Sequence, residues 1–131
     1  EELASLRKEA ALVYCQKVCE AKRKNYSLHV RHCLNWMEEH LAGDLTLIEA
    51  SKACGVSYDY LSRLIKKECG CSFSELAHRL RCERATCYLL DGNEIWEAAE
   101  KCGYKSSSQF CHAFRQIYGI SPKKWEQKQN L

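Results

Sequence analysis

GVSYDYLSRLIKKECG, residues 55–70, reads as a tight turn, a serine cap and one amphipathic helix. Gly55 supplies a turn conformation that a side chain would hinder. Ser57 stands where an N-cap belongs, its oxygen free to accept from an amide of the next turn. Leu61, Leu64 and Ile65 recur on one helical stripe, which predicts the buried side. Asp59, Ser62, Arg63 and Lys66 then fall on the opposite side. A short helix entered through a glycine turn, with a polar and partly basic outer face, has the form of a recognition helix for the DNA major groove.

The chain repeats the pattern. GYKSSSQFCHAFRQIYG, residues 103–119, places Gly103 against Gly55 and Phe110, Ala113 and Phe114 against Leu61, Leu64 and Ile65. Arg115 answers Lys66 and Gly119 answers Gly70. The offset is 48 residues at the first glycine and 49 after it, so the second copy carries one extra residue at its helix start. A short helical segment ending in cysteine precedes each copy, Leu47 to Cys54 and Ile95 to Cys102. The sequence therefore predicts a duplicated helix-turn-helix unit.

Between the copies, Ser72 and Glu75 signal the start of a long helix ending near Leu90, with Phe73, Leu76, Ala77, Leu80, Arg84, Cys87 and Leu90 along it. Eighteen helical residues span about 27 Å. Two recognition helices on one face of a duplex sit about 34 Å apart, so a stiff connector suits that role. Thr46 with Glu49 predicts a further capping box, and Ser106 with Gln109 a cap for the second recognition helix. Ser27 can cap a helix carrying Val30, Leu34, Met37 and Leu41 that stops at Ala42-Gly43. Asp91-Gly92-Asn93 closes the long helix with turn chemistry, and Ser121-Pro122 opens a last short one. The tail from Gln127 is expected to fray.

Composition narrows the class. In 131 residues, 46% hydrophobic content with one proline and six glycines fits one ordered, mostly helical domain. No apolar run reaches the length of a membrane span, and no signal-peptide pattern is present. The chain opens at Glu1 without methionine, as a piece of a longer protein would. A formal charge of +3 leaves nucleic acid as a partner, because binding needs a basic face and not a basic whole. Residues 1–26 are assigned to an N-terminal linker or signalling helix and residues 27–131 to the double helix-turn-helix domain. The apolar spacing of Leu3, Leu6, Ala10 and Val13 breaks at Lys17 and Glu20, too short for a free-standing coiled coil.

The ten cysteines read as small buried hydrophobes in a reducing cytoplasm, since the chain is helix-rich and lacks an export signal. A zinc reading competes at Cys15, Cys19, His29 and Cys33, whose spacing is not that of a usual zinc knuckle. His78 and Cys82 make a half-site without visible partners. Neither leads to an expected metal or cofactor. Trp36, Trp96 and Trp125 are expected in the core or at its edge. Tyr58, Tyr60 and Tyr104 are expected to pack or to lie beside phosphates.

VSYDYLSRLIKKECGCSFSEL, RLRCERATCYLL and GYKSSSQFCHAFRQIYGISPKKW, in that order and spacing, resemble the DNA-binding domain of AraC/XylS-type transcription regulators. The resemblance covers about Ser27 to Gln127. It implies an all-α fold of about seven helices, with two helix-turn-helix subdomains joined by a long central helix. It implies sequence-specific binding of double-stranded DNA, with both recognition helices in adjacent major grooves. By the same resemblance, Asp59, Ser62, Arg63, Ser107, Ser108, Cys111 and His112 are the base-contacting positions. Lys66 and Arg115 go to phosphates, with Ser57 and Ser106 as cap-side helpers. Arg63 stands out because a guanidinium can take guanine O6 and N7 together. A bacterial activator in the cytoplasm and nucleoid, working with RNA polymerase and an upstream sensor domain, completes the expectation.

Some residues depart from the family pattern. Ser51 stands where alanine is usual, Asp59 is acidic, and Cys111 and His112 are weaker base readers than the usual residues. Trp125-Glu126 replaces a Tyr-Arg ending. Arg63 could instead pair with Asp59 at i,i+4. Two other functions compete: a helical protein-interaction module, and a cysteine-dependent DNA-repair-type regulator. Cys111 and His112 are neighbours that point about 100° apart on a helix, so they form no nucleophile–base pair. No enzyme is expected.

Overall fold

The computed structural model describes residues 25–129. The N-terminal helix expected before Ser27 therefore lies outside the described residues, except for Asn25 and Tyr26, which turn into the domain. Seven helices and no strands follow among the described residues. They are α1 (Leu28–Glu39), α2 (Leu47–Cys54), α3 (Tyr58–Cys69), α4 (Phe73–Leu90), α5 (Ile95–Lys101), α6 (Ser107–Tyr118) and α7 (Pro122–Gln129). The last helix holds through Gln129, two residues past where fraying is expected to begin.

Local chemistry sets these boundaries. Gly55 ends α2 with φ +69, a left-handed backbone that residues with a Cβ adopt only at a cost. Ser57 then caps α3 by accepting from Tyr60 N–H at 3.2 Å, and Ser106 caps α6 by accepting from Gln109 N–H at 3.1 Å. Thr46 and Ser72 cap α2 and α4 likewise. Glu49 and Glu75, at the third helical position, make no return bond to the cap N–H, and Glu49 faces Lys52 at 3.8 Å instead. At α5 the glutamate does close back, where Glu97 accepts from Glu94 N–H at 3.2 Å. That cap was missed because glutamate is not a usual N-cap residue.

Ser27 behaves differently from expectation. It occupies the N-cap position of α1, yet its side chain makes no cap bond. Its N–H and hydroxyl both donate to the Glu68 carboxylate near the end of α3.

Two cores form, one per unit. The first joins Val30, Cys33, Leu34 and Met37 of α1 to Ala50, Leu61, Ile65 and the α4 residues Leu76, Ala77 and Leu80. The second joins Cys82, Ala85 and Leu89 of α4 to Ala98, Ala99, Cys102, Tyr104, Phe110, Ala113 and Phe114. One half of α4 thus belongs to each core. This explains why its apolar residues do not keep to one stripe: Arg84 is half-exposed, and its guanidinium reaches Glu38 of α1 at 3.9 Å. Trp36 and Trp125 pack at the core edges, as expected. Trp96 does not. It is 60% exposed, because the second residue of α5 points away from the core that Ala98 and Ala99 face.

Among the described residues the eight cysteines form no disulfide with one another. Five of them, Cys33, Cys71, Cys82, Cys87 and Cys102, are buried as the small-hydrophobe reading requires. Burial pushes the Cys33 and Cys102 thiols up to about 12 and that of Cys82 to about 11. Such thiols stay protonated and are poor nucleophiles. Two members of the zinc candidate, Cys15 and Cys19, lie outside the described residues. Among the described residues no cluster suits a metal ion. His78 and Cys82 gain no further metal ligand among the described residues, and both face the Tyr104 hydroxyl, at 2.9 and 3.7 Å.

Candidate nucleic-acid interface

The buried side of α3 is fixed by Leu61 and Ile65, both fully buried. Leu64 packs against the same core, and helical geometry turns the opposite side of the helix outward. Asp59, Arg63 and Lys66 are exposed, with Ser62 half-buried beside them. In α6, Phe110 and Phe114 are fully buried and leave Ser107, Ser108, His112 and Arg115 exposed, with Cys111 half-buried. The structure thus brings each sequence-predicted set onto the free face of its helix. Ser57 and Ser106 are exposed at the helix starts. Each hydroxyl oxygen accepts a cap bond, which leaves its O–H free to donate.

Arg63 does not pair with Asp59. Among the described residues, Arg63, Lys66 and Arg115 take part in no salt bridge, so their charge faces solvent uncompensated. His112 has only a long contact, 3.5 Å from its Nε2 to the Gln116 side-chain nitrogen. Tyr58 and Tyr60 flank the start of α3, about half exposed, and the Tyr60 ring meets His29 edge-on at 5.9 Å. Tyr104, by contrast, is a packing residue: it is buried against Phe110 and hydrogen-bonded to His78. Ser51 is also buried, and its hydroxyl donates to Ile48 O at 2.7 Å, so the serine is accommodated within its own helix.

A groove of about 1010 Å³ runs between the α1–α2 loop, the start of α4 and the outer face of α6. His112 and Gln116 line one wall, and Thr46, Arg79 and Lys105 line others. Gln109 also faces this groove and is exposed. By sequence, Gln109 is expected only as part of the Ser106 cap. Only its backbone N–H is used there, so the amide group remains available. Its place in the first turn of α6, one residue after Ser108, was the signal that could have found it.

Two helix-turn-helix pairs, α2–α3 and α5–α6, each presenting a capped second helix, with α4 shared between their cores, define a double helix-turn-helix DNA-binding domain. Comparison with known proteins gives the same class. The model of the helix-turn-helix domain family matches residues 50–128. The chain belongs to the AraC-type helix-turn-helix family of DNA-binding transcription regulators. It is 32% identical over 110 residues to the HTH-type transcriptional regulator YtdP of Bacillus subtilis, covering 83% of this chain and 14% of YtdP. It superposes on the C-terminal domain of AraT, a response regulator from Geobacillus stearothermophilus, with a TM-score of 0.71 and 35% identity, over 79% of this chain and 88% of the other. An AraC-type transcriptional regulator from Chromobacterium violaceum gives a TM-score of 0.71 at 26% identity, over 77% and 90%. The family is one of regulators and not of enzymes. No helix among the described residues is long and apolar enough to cross a membrane.

Proposed function

We propose that this domain binds double-stranded DNA in a sequence-dependent way, with α3 and α6 entering adjacent major grooves from one side. The observation that carries the proposal is the duplication of one arrangement. Each unit has a serine-capped helix whose inner face is locked by two fully buried apolar residues and whose outer face carries unpaired cationic charge. Asp59, Ser62 and Arg63 read base edges in one groove. Ser107, Ser108, Cys111 and His112 do so in the other, with Gln109 added to them. Arg63 suits guanine, Asp59 can accept from cytosine, and Gln109 suits adenine. Lys66 and Arg115 lie a turn further along and contact phosphates, where a point charge or fork positions the helix without reading sequence. The free O–H groups of Ser57 and Ser106 donate to phosphates at the helix starts.

As a transcription regulator, the protein would act on RNA polymerase in the bacterial cytoplasm and nucleoid, as an activator under the control of a sensor segment elsewhere in a longer chain. Selection of bound duplexes from a random library tests the core of the proposal. Two short conserved blocks, separated by about one helical turn, are the expected result. A set of recovered duplexes with no common block would overturn sequence-dependent binding. A single block would overturn the two-groove arrangement.

A further inference from the structure

Three segments meet at one point where the two units touch. Arg81 lies in α4 between Leu80, which belongs to the first core, and Cys82, which belongs to the second. Its Nε donates to Leu41 O at 3.2 Å, and its Nη2 donates to Gly43 O at 2.9 Å. Both carbonyls belong to the α1–α2 loop of the first unit. The same guanidinium lies 5.7 Å from the ring centroid of Tyr104, in the turn of the second unit. Next to Tyr104, Gly103 presses directly on that loop. A Cβ at Gly103 would stand 2.6 Å from Leu41 O and 3.1 Å from Ala42 Cα. His78, on the first half of α4, adds its 2.9 Å bond to the Tyr104 hydroxyl.

This geometry has a consequence for how the two helix-turn-helix units are held. Each unit has its own core, so neither core fixes the other unit's position. The shared helix α4 sets the distance between the units. A single helix leaves bending and small rotations open unless side contacts stop them. The stop is the seam where Leu41–Gly43 abut Gly103–Tyr104, with Arg81 as its pin. A planar guanidinium suits the role, because its donors are held in a fixed fork and its face can lie on an aromatic ring. The Leu41 carbonyl would otherwise lose its partner at a part-buried site, whereas the Gly43 carbonyl is open to water.

We infer that the Arg81–Gly103 seam positions α3 relative to α6 and so sets the spacing between the two DNA blocks that the protein accepts. The inference rests on the two-groove reading above. Arg81 is a positioning residue here and contacts no base. One inserted base pair turns one block about 34–36° relative to the other. A rigid pair of units rejects that change, and a loosened pair follows it.

The test uses the 131-residue chain and duplexes carrying both selected blocks, at the selected spacing and with one base pair added or removed. The wild type should favour the selected spacing by about tenfold or more, the scale of one mismatched base pair. Arg81→Met keeps the aliphatic stem and removes the fork. It should cut that preference to about threefold or less, while affinity for a duplex with one block scrambled stays within about twofold. An unchanged spacing preference in Arg81→Met would overturn the inference.

A second measurement needs no DNA. Residual dipolar couplings from the two units should fit one alignment tensor in the wild type and require two in Arg81→Met. Couplings that fit one shared tensor, with the wild-type angle between α3 and α6, would overturn the inference even if the variant binds poorly. If wild-type protein shows no paired blocks while the couplings change as expected, the two-groove reading fails and the positioning role stands. Retained helical circular dichroism in Arg81→Met separates a loosened seam from an unfolded chain.

Discussion

Ser27 and Glu68, 41 residues apart, are joined twice: the Ser27 N–H donates to Glu68 Oε1 at 2.6 Å and its hydroxyl to Oε2 at 2.7 Å. The carboxylate thereby covers the N-terminus of α1 and satisfies a donor that the helix cannot use itself. It also carries negative charge to the positive end of the helix dipole. Because Glu68 belongs to α3, the bond ties a candidate recognition helix to the helix that opens the domain. Glu68→Ala should lower stability by about 1–2 kcal/mol, the range of a charge-assisted bond at a partly exposed site. Urea unfolding followed by helical circular dichroism measures it. A midpoint unchanged from wild type would show that the contact contributes nothing.

Arg63 and Lys66 separate reading from attachment. Both are exposed, and neither is engaged in a salt bridge among the described residues. Arg63→Ala should weaken the best duplex by about 1–3 kcal/mol and relax the preference at one base pair. Lys66→Ala should weaken all duplexes alike and flatten the dependence of affinity on salt by about one ion. Fluorescence anisotropy over a salt series, on selected and scrambled duplexes, distinguishes them. An Arg63→Ala protein with intact base preference would remove that residue from the reading set.

Most of this fold was legible because its signals are local. Glycine turns, serine caps and paired apolar stripes act within a few residues, and their repetition at an offset of 48–49 residues exposed the duplication. What stayed hidden depends on distance along the chain. Nothing near Ser27 announces Glu68, and nothing near Arg81 announces the carbonyls of Leu41 and Gly43. Trp96 was misplaced for a related reason. Its bulk suggested the core, but its position on a seven-residue helix, just before Ala98 and Ala99, turns it outward. The candidate interface was legible as two exposed faces. Gln109 was missed because one residue can offer its backbone to a cap and its side chain to something else.

The buried thiols predict an alkaline weakness. The Cys33, Cys82 and Cys102 thiols lie above the ordinary 9.0 in the folded state, at about 12, 11 and 12, mainly because burial disfavours the thiolate. A raised folded value means the stabilising difference is fully present below pH 9 and is lost as pH climbs from 9 toward 11–12. Each group contributes a slope of up to about 1.4 kcal/mol per pH unit in that window. The urea midpoint should therefore fall between pH 9 and 10.5, and Cys102→Ala should fall less steeply. Equal slopes for the variant and the wild type would rule out a contribution from this thiol.

Gly55 and Gly103 are equivalent in the repeat and should not be equivalent in their tolerance of change. Both have left-handed backbones, φ +69 and +92, so alanine is strained at either position by about 1 kcal/mol or more. At Gly55 nothing lies within 4 Å of the added carbon, so strain is the whole cost. At Gly103 the same carbon would meet Leu41 O at 2.6 Å, and a backbone carbonyl cannot swing aside as a side chain can. Relief requires the α1–α2 loop and the second unit to separate, which disturbs the bonds from Arg81 to that loop. Gly103→Ala should therefore destabilise the domain by at least about 1–2 kcal/mol more than Gly55→Ala. Parallel urea titrations of the two variants give the comparison. Equal losses would mean that the seam yields easily and that the close approach at Gly103 places no demand on the fold.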